Sequence, residues 1–383
     1  MRILFSCDSM TVTTGLGRVG KEIITGLKSI DDSIEIFQIG WGYSGEPTVI
    51  DDVTIFPAKS RFAKDDIGPM VDQLEPDYVF TIADPFMCTF FPTLPQRNKF
   101  KWIGYTPIDG HPIPVEWGHV IRDMDVAIAY CDWGKEQIQK VLPHKKIHVV
   151  EHGTDPAMER YTTIKKAITK EKYGLDNKFV VSCVARNQHR KNIPYLLTVF
   201  NLWSQDKEDA ILYLHMASKD IGGNLAPMLK TLGIQDRVFF PSSESYNAVN
   251  GVSTEDMVDI FNFTDLFTCP TRGEGWGMPI FEALKCGTPV LMPDYSAYAE
   301  YVRKVDENML IDLYTMIPAD FGMLRAMPDL EDYLNKMDYW YGLRKNNFEE
   351  YEKISESISK QFPELSWDKL VRKFYDIIVS EEQ

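Results

Sequence analysis

Residues 271–294, TRGEGWGMPIFEALKCGTPVLMPD, join a glycine-rich turn to two carboxylates, Glu274 and Glu282, eight positions apart. The preceding LFTCPT reads as a buried strand, GEGWGMP as a loop, and PIFEALKCG as a helix that Pro279 can open and Gly287 can close. Loop glycines let the backbone approach a ligand closely, and free amides at a helix start hold an anionic or polar group. Carboxylates beside an anion site are costly unless they accept hydrogen bonds, and sugar or ribose hydroxyls are fitting donors. The rival reading makes Glu274 and Glu282 solvent-facing charges. A second constellation lies in VSCVARNQHRKNIPYLLTVF, where Arg186 and Lys191 follow a strand that ends at Ala185. Two cations at that place can neutralise a diphosphate and the charge that builds on a leaving group. The alternative there is a solvated basic loop, and Arg190 reads as an extra, exposed cation.

Two further stretches carry weaker signals. Gly15 and Gly17 lie in GLGRVG, which has the spacing of a dinucleotide fingerprint. No ribose-binding acid follows the second strand, where IEIFQIGWGYSG ends in aromatics and glycines, so a nicotinamide dinucleotide is rejected as a ligand. WIGYTPIDGHPIPVEW leads a strand into a Pro- and Gly-rich loop with Asp109 and His111, where Asp109 also suits an Asx-turn.

The elements that must position these residues alternate. Apolar strand-like runs at 1–7, 34–40, 54–58, 78–83, 101–107, 126–131 and 147–153 are separated by helical stretches such as WGKEQIQKVL. The alternation restarts at FVVSCVA, residues 179–185, and continues through 210–218, 238–242, 266–271 and 288–294. Continuous apolar strands alternating with helices predict parallel sheets covered on both faces, hence an α/β protein of two Rossmann-like doubly wound domains facing a cleft. The expected boundaries are 1–160 for the first domain and 161–360 for the second, with a polar linker in 153–172 and a late amphipathic helix in 361–383. Ligands in such sheets bind beyond the carboxyl ends of the strands, where all four constellations fall.

The stretch 274–294 resembles the signature of the retaining glycosyltransferase family 4, of the GT-B superfamily: Glu274, seven residues, Glu282, then Cys286-Gly287-Thr288-Pro289-Val290. The resemblance implies that Glu274 touches the donor sugar hydroxyls, Glu282 the nucleotide ribose, and the amides of Gly277, Met278 and Ile280 the sugar and phosphates. It implies the diphosphate-binding role for Arg186 and Lys191, with Ala185 and Asn192 standing where the family usually has glycine. Gly17 matches the loop that closes over the phosphates. Asp109, with His111 as the other candidate, matches the group that faces the sugar's primary hydroxyl. EHGTDPAM resembles the family's HGVD segment, with Thr154 in place of Val, and Trp367 resembles the late Trp before a helix that crosses back to the first domain. The polar stretch 241–257, which borders the base in the family, and the stretch 315–337 depart from its pattern.

The implied activity is a metal-independent, retaining transfer, without cofactor, from a nucleotide-diphosphate sugar to a hydroxyl of a saccharide, lipid-linked or small-metabolite acceptor. Glycosylation of a modified DNA base, a nucleotide-sugar-binding module without turnover and a sugar-nucleotide epimerase are the alternatives. A glycosidase is disfavoured because both carboxylates lie on one loop–helix unit. The formal net charge of −15 argues against nucleic acid as the main partner. The six cysteines show no CxxC pair and read as buried thiols of a reducing, cytoplasmic compartment. MRILFSCDSM reads as a first strand rather than a leader, no run has the ~18–20 apolar residues of a membrane span, and peripheral membrane contact stays open. A monomer or a homodimer is expected.

Overall fold

The computed structural model describes residues 1–242, 251–361 and 365–381. Eight of the seventeen residues in the unusual polar stretch 241–257 therefore lie outside the described residues. The first domain runs β1 (Arg2–Asp8), α1 (Gly15–Ile30), β2 (Glu35–Trp41), β3 (Thr48–Ile50), β4 (Val53–Pro57), α2 (Ile67–Leu74), β5 (Tyr78–Ile82), β6 (Lys101–Thr106), α3 (Val115–Asp123), β7 (Val126–Ala129), α4 (Asp132–Val141) and β8 (Ile147–Val149). Its sheet has the order β3-β4-β2-β1-β5-β6-β7-β8, with every neighbour parallel except β3 on β4. Ile3, Leu4 and Phe5 of β1 are fully buried, as an interior strand with helices on both faces requires. In α1, Val19, Ile23, Ile24 and Leu27 recur at helical spacing and form its buried stripe, while the Thr14 hydroxyl caps the Gly17 amide.

The second domain begins with α5 (Thr163–Lys172), β9 (Phe179–Val184), α6 (Ile193–Trp203), β10 (Ala210–His215) and a two-stranded turn of β11 (Lys219–Asp220) and β12 (Gly223–Asn224). There follow α7 (Ala226–Leu232), β13 (Val238–Phe239), α8 (Thr254–Phe263), β14 (Leu266–Thr268), α9 (Met278–Lys285), β15 (Val290–Pro293), α10 (Ala299–Val305) and β16 (Leu310–Ile311). Its sheet order is β13-β10-β9-β14-β15-β16, all parallel.

Beyond β16 the alternation breaks. The stretch that fits no strand–helix pattern forms an antiparallel hairpin of β17 (Leu313–Pro318) and β18 (Leu324–Pro328), an arm that leaves the second domain and lies on the first. At its tip Phe321 stacks on Phe86 at 5.2 Å and meets Trp117 at 5.3 Å. Met323 is fully buried in the first domain's core cluster beside Ile108, Ile113 and Trp117. The chain then continues through α11 (Leu330–Asn346), α12 (Phe348–Gln361) and α13 (Trp367–Ser380). The last helix crosses back to the first domain, where Phe374 packs edge-on against Phe80 and Tyr105 and Val371 fills the space above Gly26. Near this crossing His152 lies within a cage of Tyr105, Tyr130, Trp276 and Trp367.

If the arm is anchored by its buried tip, Met323→Ala lowers unfolding stability by about 2–5 kcal/mol, whereas Tyr314→Ala, at a strongly exposed site of the same hairpin, costs ~0.5 kcal/mol or less. Denaturant unfolding of both variants reads this directly, and equal losses would contradict the docking of the arm.

Candidate functional site

Strand order reverses between β1 and β5 in the first sheet and between β9 and β14 in the second. Crevices at such reversals hold the ligands of open α/β sheets. The loop after β14 carries Thr271 to Gly277, the loop after β9 carries Arg186 to Lys191, and Asp84 stands just past β5.

Glu274 is the centre. Its Oε1 accepts from Lys191 Nζ at 2.5 Å and from the Thr271 hydroxyl at 2.6 Å, and its Oε2 lies 2.8 Å from Arg190 Nη1. Its amide donates to Ser296 Oγ at 2.9 Å. Burial alone would raise the carboxyl's pKa, but the adjacent charges of Arg190 and Lys191 outweigh it and lower the value from 4.5 to about 2. Glu274 is therefore a fixed anion at neutral pH and has no proton to give.

Arg190 is not the exposed cation expected from the sequence. Its side chain is about three-quarters buried, its Nη1 also donates to the Gly273 carbonyl, and its Nε faces Asp109 Oδ2 at 3.4 Å. Arg190 thus joins a carboxylate of each domain. Asp109 is held from its other side by Arg325 of the arm, whose Nη2 lies 3.0 Å from Oδ1 and whose Nη1 donates to the Asp109 carbonyl at 2.7 Å. This is an ion-paired carboxylate rather than the Asx-turn residue that the loop's composition also allowed. The two domains meet closely here. Gly273 has a φ of +145°, and a side chain there would collide with the Asp109 carbonyl. Asp84 faces the same cluster. Burial, and next the Asp109 charge, raise its pKa to about 7, only partly opposed by Arg190 and Arg325. No motif marks Asp84, although YVFTIADP places it at a strand's carboxyl end.

The other expected residues are not all brought to Glu274. Lys191 joins Glu274 directly. Arg186 does not: its fork is engaged by Asp220 of β11, at 2.7 Å from Nε and 3.1 Å from Nη2. The extended reach of an arginine on an exposed loop lets it choose this neighbouring carboxylate over the buried one. Glu282, buried on α9, is bridged by Arg18 of α1 across the cleft at 3.0 Å. Among the donor-loop amides, that of Ile280 is already bonded to the Gly277 carbonyl at 2.9 Å, which removes it from the expected phosphate set. Those of Gly277 and Met278 stand at the start of α9, where a helix offers them no internal acceptor. Gly277 has a φ of +100°, and a Cβ there would lie 2.7 Å from Ile280 Cδ1. The Gly17 amide is likewise taken, by the Thr14 hydroxyl at 3.0 Å. His111 pairs its Nδ1 with the Tyr295 hydroxyl at 3.0 Å, and burial lowers its pKa.

The folded-state pKa of Glu274 lies below its unfolded value, so the unfolded chain binds more protons between pH 4.5 and about 2. Its contribution to stability is complete above that window and is lost as pH falls through it. In Glu274→Gln the contribution is absent, and the slope of unfolding free energy against pH between 4.5 and 3 flattens by up to about 1.4 kcal/mol per pH unit. Urea titrations at stepped pH measure the slope, and parallel slopes in the two proteins would show that the cations do not hold Glu274 ionised.

Comparison with known proteins bears on the second domain and on the fold as a whole. The family profile of group 1 glycosyl transferases matches residues 165–316. The mannosylfructose-phosphate synthase of Agrobacterium fabrum is 27% identical over 161 residues, which cover 39% of this chain and 33% of that protein, so the matched stretch spans about a third of that relative's length. Sucrose-phosphate synthase from Thermosynechococcus elongatus superimposes with a TM-score of 0.76 at 12% identity, over 99% of this chain and 98% of that one. The Anabaena protein HepE, solved with UDP and glucose, superimposes with a TM-score of 0.68 at 14% identity, over 99% of this chain and all of that one. No described helix is long and apolar enough to cross a membrane. Residues 165–316 thus match the group 1 glycosyl transferase profile, and the whole chain shares the two-domain fold of these solved structures.

Proposed function

We propose that this chain is a retaining, metal-independent glycosyltransferase that moves a sugar from a nucleotide-diphosphate sugar to a hydroxyl of a soluble saccharide or small metabolite. The observation that carries the reading is the anion Glu274 with Lys191 at 2.5 Å, set beside the start of α9 in the cleft between the sheets. In this proposal Lys191 and the amides of Gly277 and Met278 hold the diphosphate. The anomeric bond breaks towards the phosphate oxygen, and the cations stabilise the charge that develops there. The acceptor hydroxyl attacks from the same face and passes its proton to the leaving phosphate. Glu274 accepts from sugar hydroxyls. Glu282 exchanges Arg18 for the ribose hydroxyls, a cheap exchange because the Arg18 side chain is nearly half exposed. Arg186 adds its charge to the diphosphate by leaving Asp220.

A glycosidase fits less well. Glu274 and Glu282 lie on one loop–helix unit rather than on opposite sides of a sugar, and Glu274 is held ionised by two cations, so that pair does not supply a glycosidase's acid and nucleophile. The solved relative named with UDP and glucose supports a nucleotide sugar as ligand, and this chain's acidic balance favours a small acceptor over a nucleic acid.

A thermal-shift panel of UDP-, GDP- and ADP-sugars tests the reading. A true donor at 100 times its dissociation constant adds ~2.7 kcal/mol, and Glu282→Ala removes that stabilisation. Release of nucleoside diphosphate on adding the acceptor separates an enzyme from a binding module. A panel with no stabilising member would refute the proposal.

A further inference from the structure

The arm reaches the candidate site, and the residue it brings there is Arg325. This side chain, about nine-tenths buried, contacts Asp109 twice, at the carboxylate and at the backbone carbonyl. The rest of the 109–111 loop is tied to the same arm. The Leu324 amide donates to the His111 carbonyl at 2.6 Å, and the Tyr295 hydroxyl joins His111 Nδ1 to the Leu324 carbonyl, at 3.0 Å each. Without Arg325, the one charged partner left to the Asp109 carboxylate among the described residues is Arg190 at 3.4 Å, and Asp84 stands nearby as a second acid. A carboxylate so placed would turn, and Arg190 would be pulled towards Glu274 alone.

We propose that Arg325 is a positioning residue for sugar transfer: it fixes the Asp109 carboxylate opposite Glu274, so that the sugar's recognition frame is complete only while the arm is docked. This rests on the glycosyltransferase reading above. Asp109 then belongs to the first domain and is oriented by the second. The guanidinium is suited to the task because its planar fork serves two acceptors of one residue at once, which an ammonium does with less geometric control. In that reading Lys191, α9 and Glu282 hold the donor's phosphates and ribose, and among the described residues Arg325 forms no hydrogen bond or ion pair with them. Its loss therefore acts on the alignment of the reacting sugar more than on the grip on the nucleotide.

The test compares Arg325→Met, Arg325→Lys and Tyr314→Ala on the whole chain. Misplacing a reacting group by about 1 Å costs on the order of 100-fold, so Arg325→Met is expected to lower kcat at least ~30-fold while the donor's KM stays within ~3-fold. Arg325→Lys recovers at least ~5-fold of that loss, because the charge remains while the fork is gone. Tyr314→Ala leaves kcat unchanged. In the donor-free protein, hydrogen exchange of the 107–113 amides is expected to quicken about 10-fold in Arg325→Met and to stay unchanged in Tyr314→Ala. Unchanged kcat in Arg325→Met, a loss confined to KM, or unchanged exchange at 107–113 would each overturn the proposal. The lysine variant preserves the charge, so it decides the question if the methionine variant folds poorly: wild-type kcat in Arg325→Lys refutes the need for a fork. Should the wild type turn over no nucleotide sugar, the reading of the reaction fails, and the exchange measurement still decides whether Arg325 holds the Asp109 loop.

Discussion

A single guanidinium, that of Arg190, is shared between Asp109 of the first domain and Glu274 of the second. Taking charges out of water costs several kcal/mol per ion, and the cost is offset only where each charge keeps a well-placed partner. Every neighbour in the cluster follows from that constraint. Lys191 and Thr271 complete Glu274, Arg325 completes Asp109, and Ser296 fixes the turn that carries Glu274. The charge state of the site and the distance between the domains are thus one variable. Moving the sheets apart would leave a buried Asp109 or a buried Arg190 short of a partner.

The cleft is not held evenly along its length. Beside α9 one link is Arg18 to Glu282, with a side chain 45% exposed to water on the arginine side. Such pairs contribute ~0–1 kcal/mol. At the arm the links are a fully buried methionine, a stacked phenylalanine and ion pairs with little solvent access. The arm therefore registers its end of the cleft more firmly than the Arg18 pair registers the other.

Much of this was legible in the residues. Apolar strands such as ILFSC and VVSCV declare the parallel sheets because interior strands tolerate little else. The Glu274 loop and Lys191 are legible because their chemistry is local: a glycine turn, a helix start and a cation a few residues past a strand. What the sequence hid is long-range. Nothing in HRK distinguishes the buried Arg190 from an exposed neighbour, because its burial is set by Asp109, eighty-one positions earlier. Arg325 lies in a segment with neither helical nor continuous strand patterning, since a two-stranded arm borrows its apolar partners, Phe86 and Trp117, from another domain. Arg186 sat at the expected strand end, yet side-chain reach let it choose Asp220. Asp84 was overlooked because a lone acid before a proline has no motif to mark it.

The path of α13 has a consequence for synthesis of the protein. Part of the first sheet's hydrophobic face, at Phe80 and Tyr105, stays uncovered until Phe374 arrives, because this side chain comes from the far end of the described chain. On a ribosome the second sheet, whose strands are contiguous in sequence, is finished before its predecessor can be. The half made first is the half completed last, and in the interval its apolar surface near Phe80 and Tyr105 is exposed to chaperones and to other nascent chains.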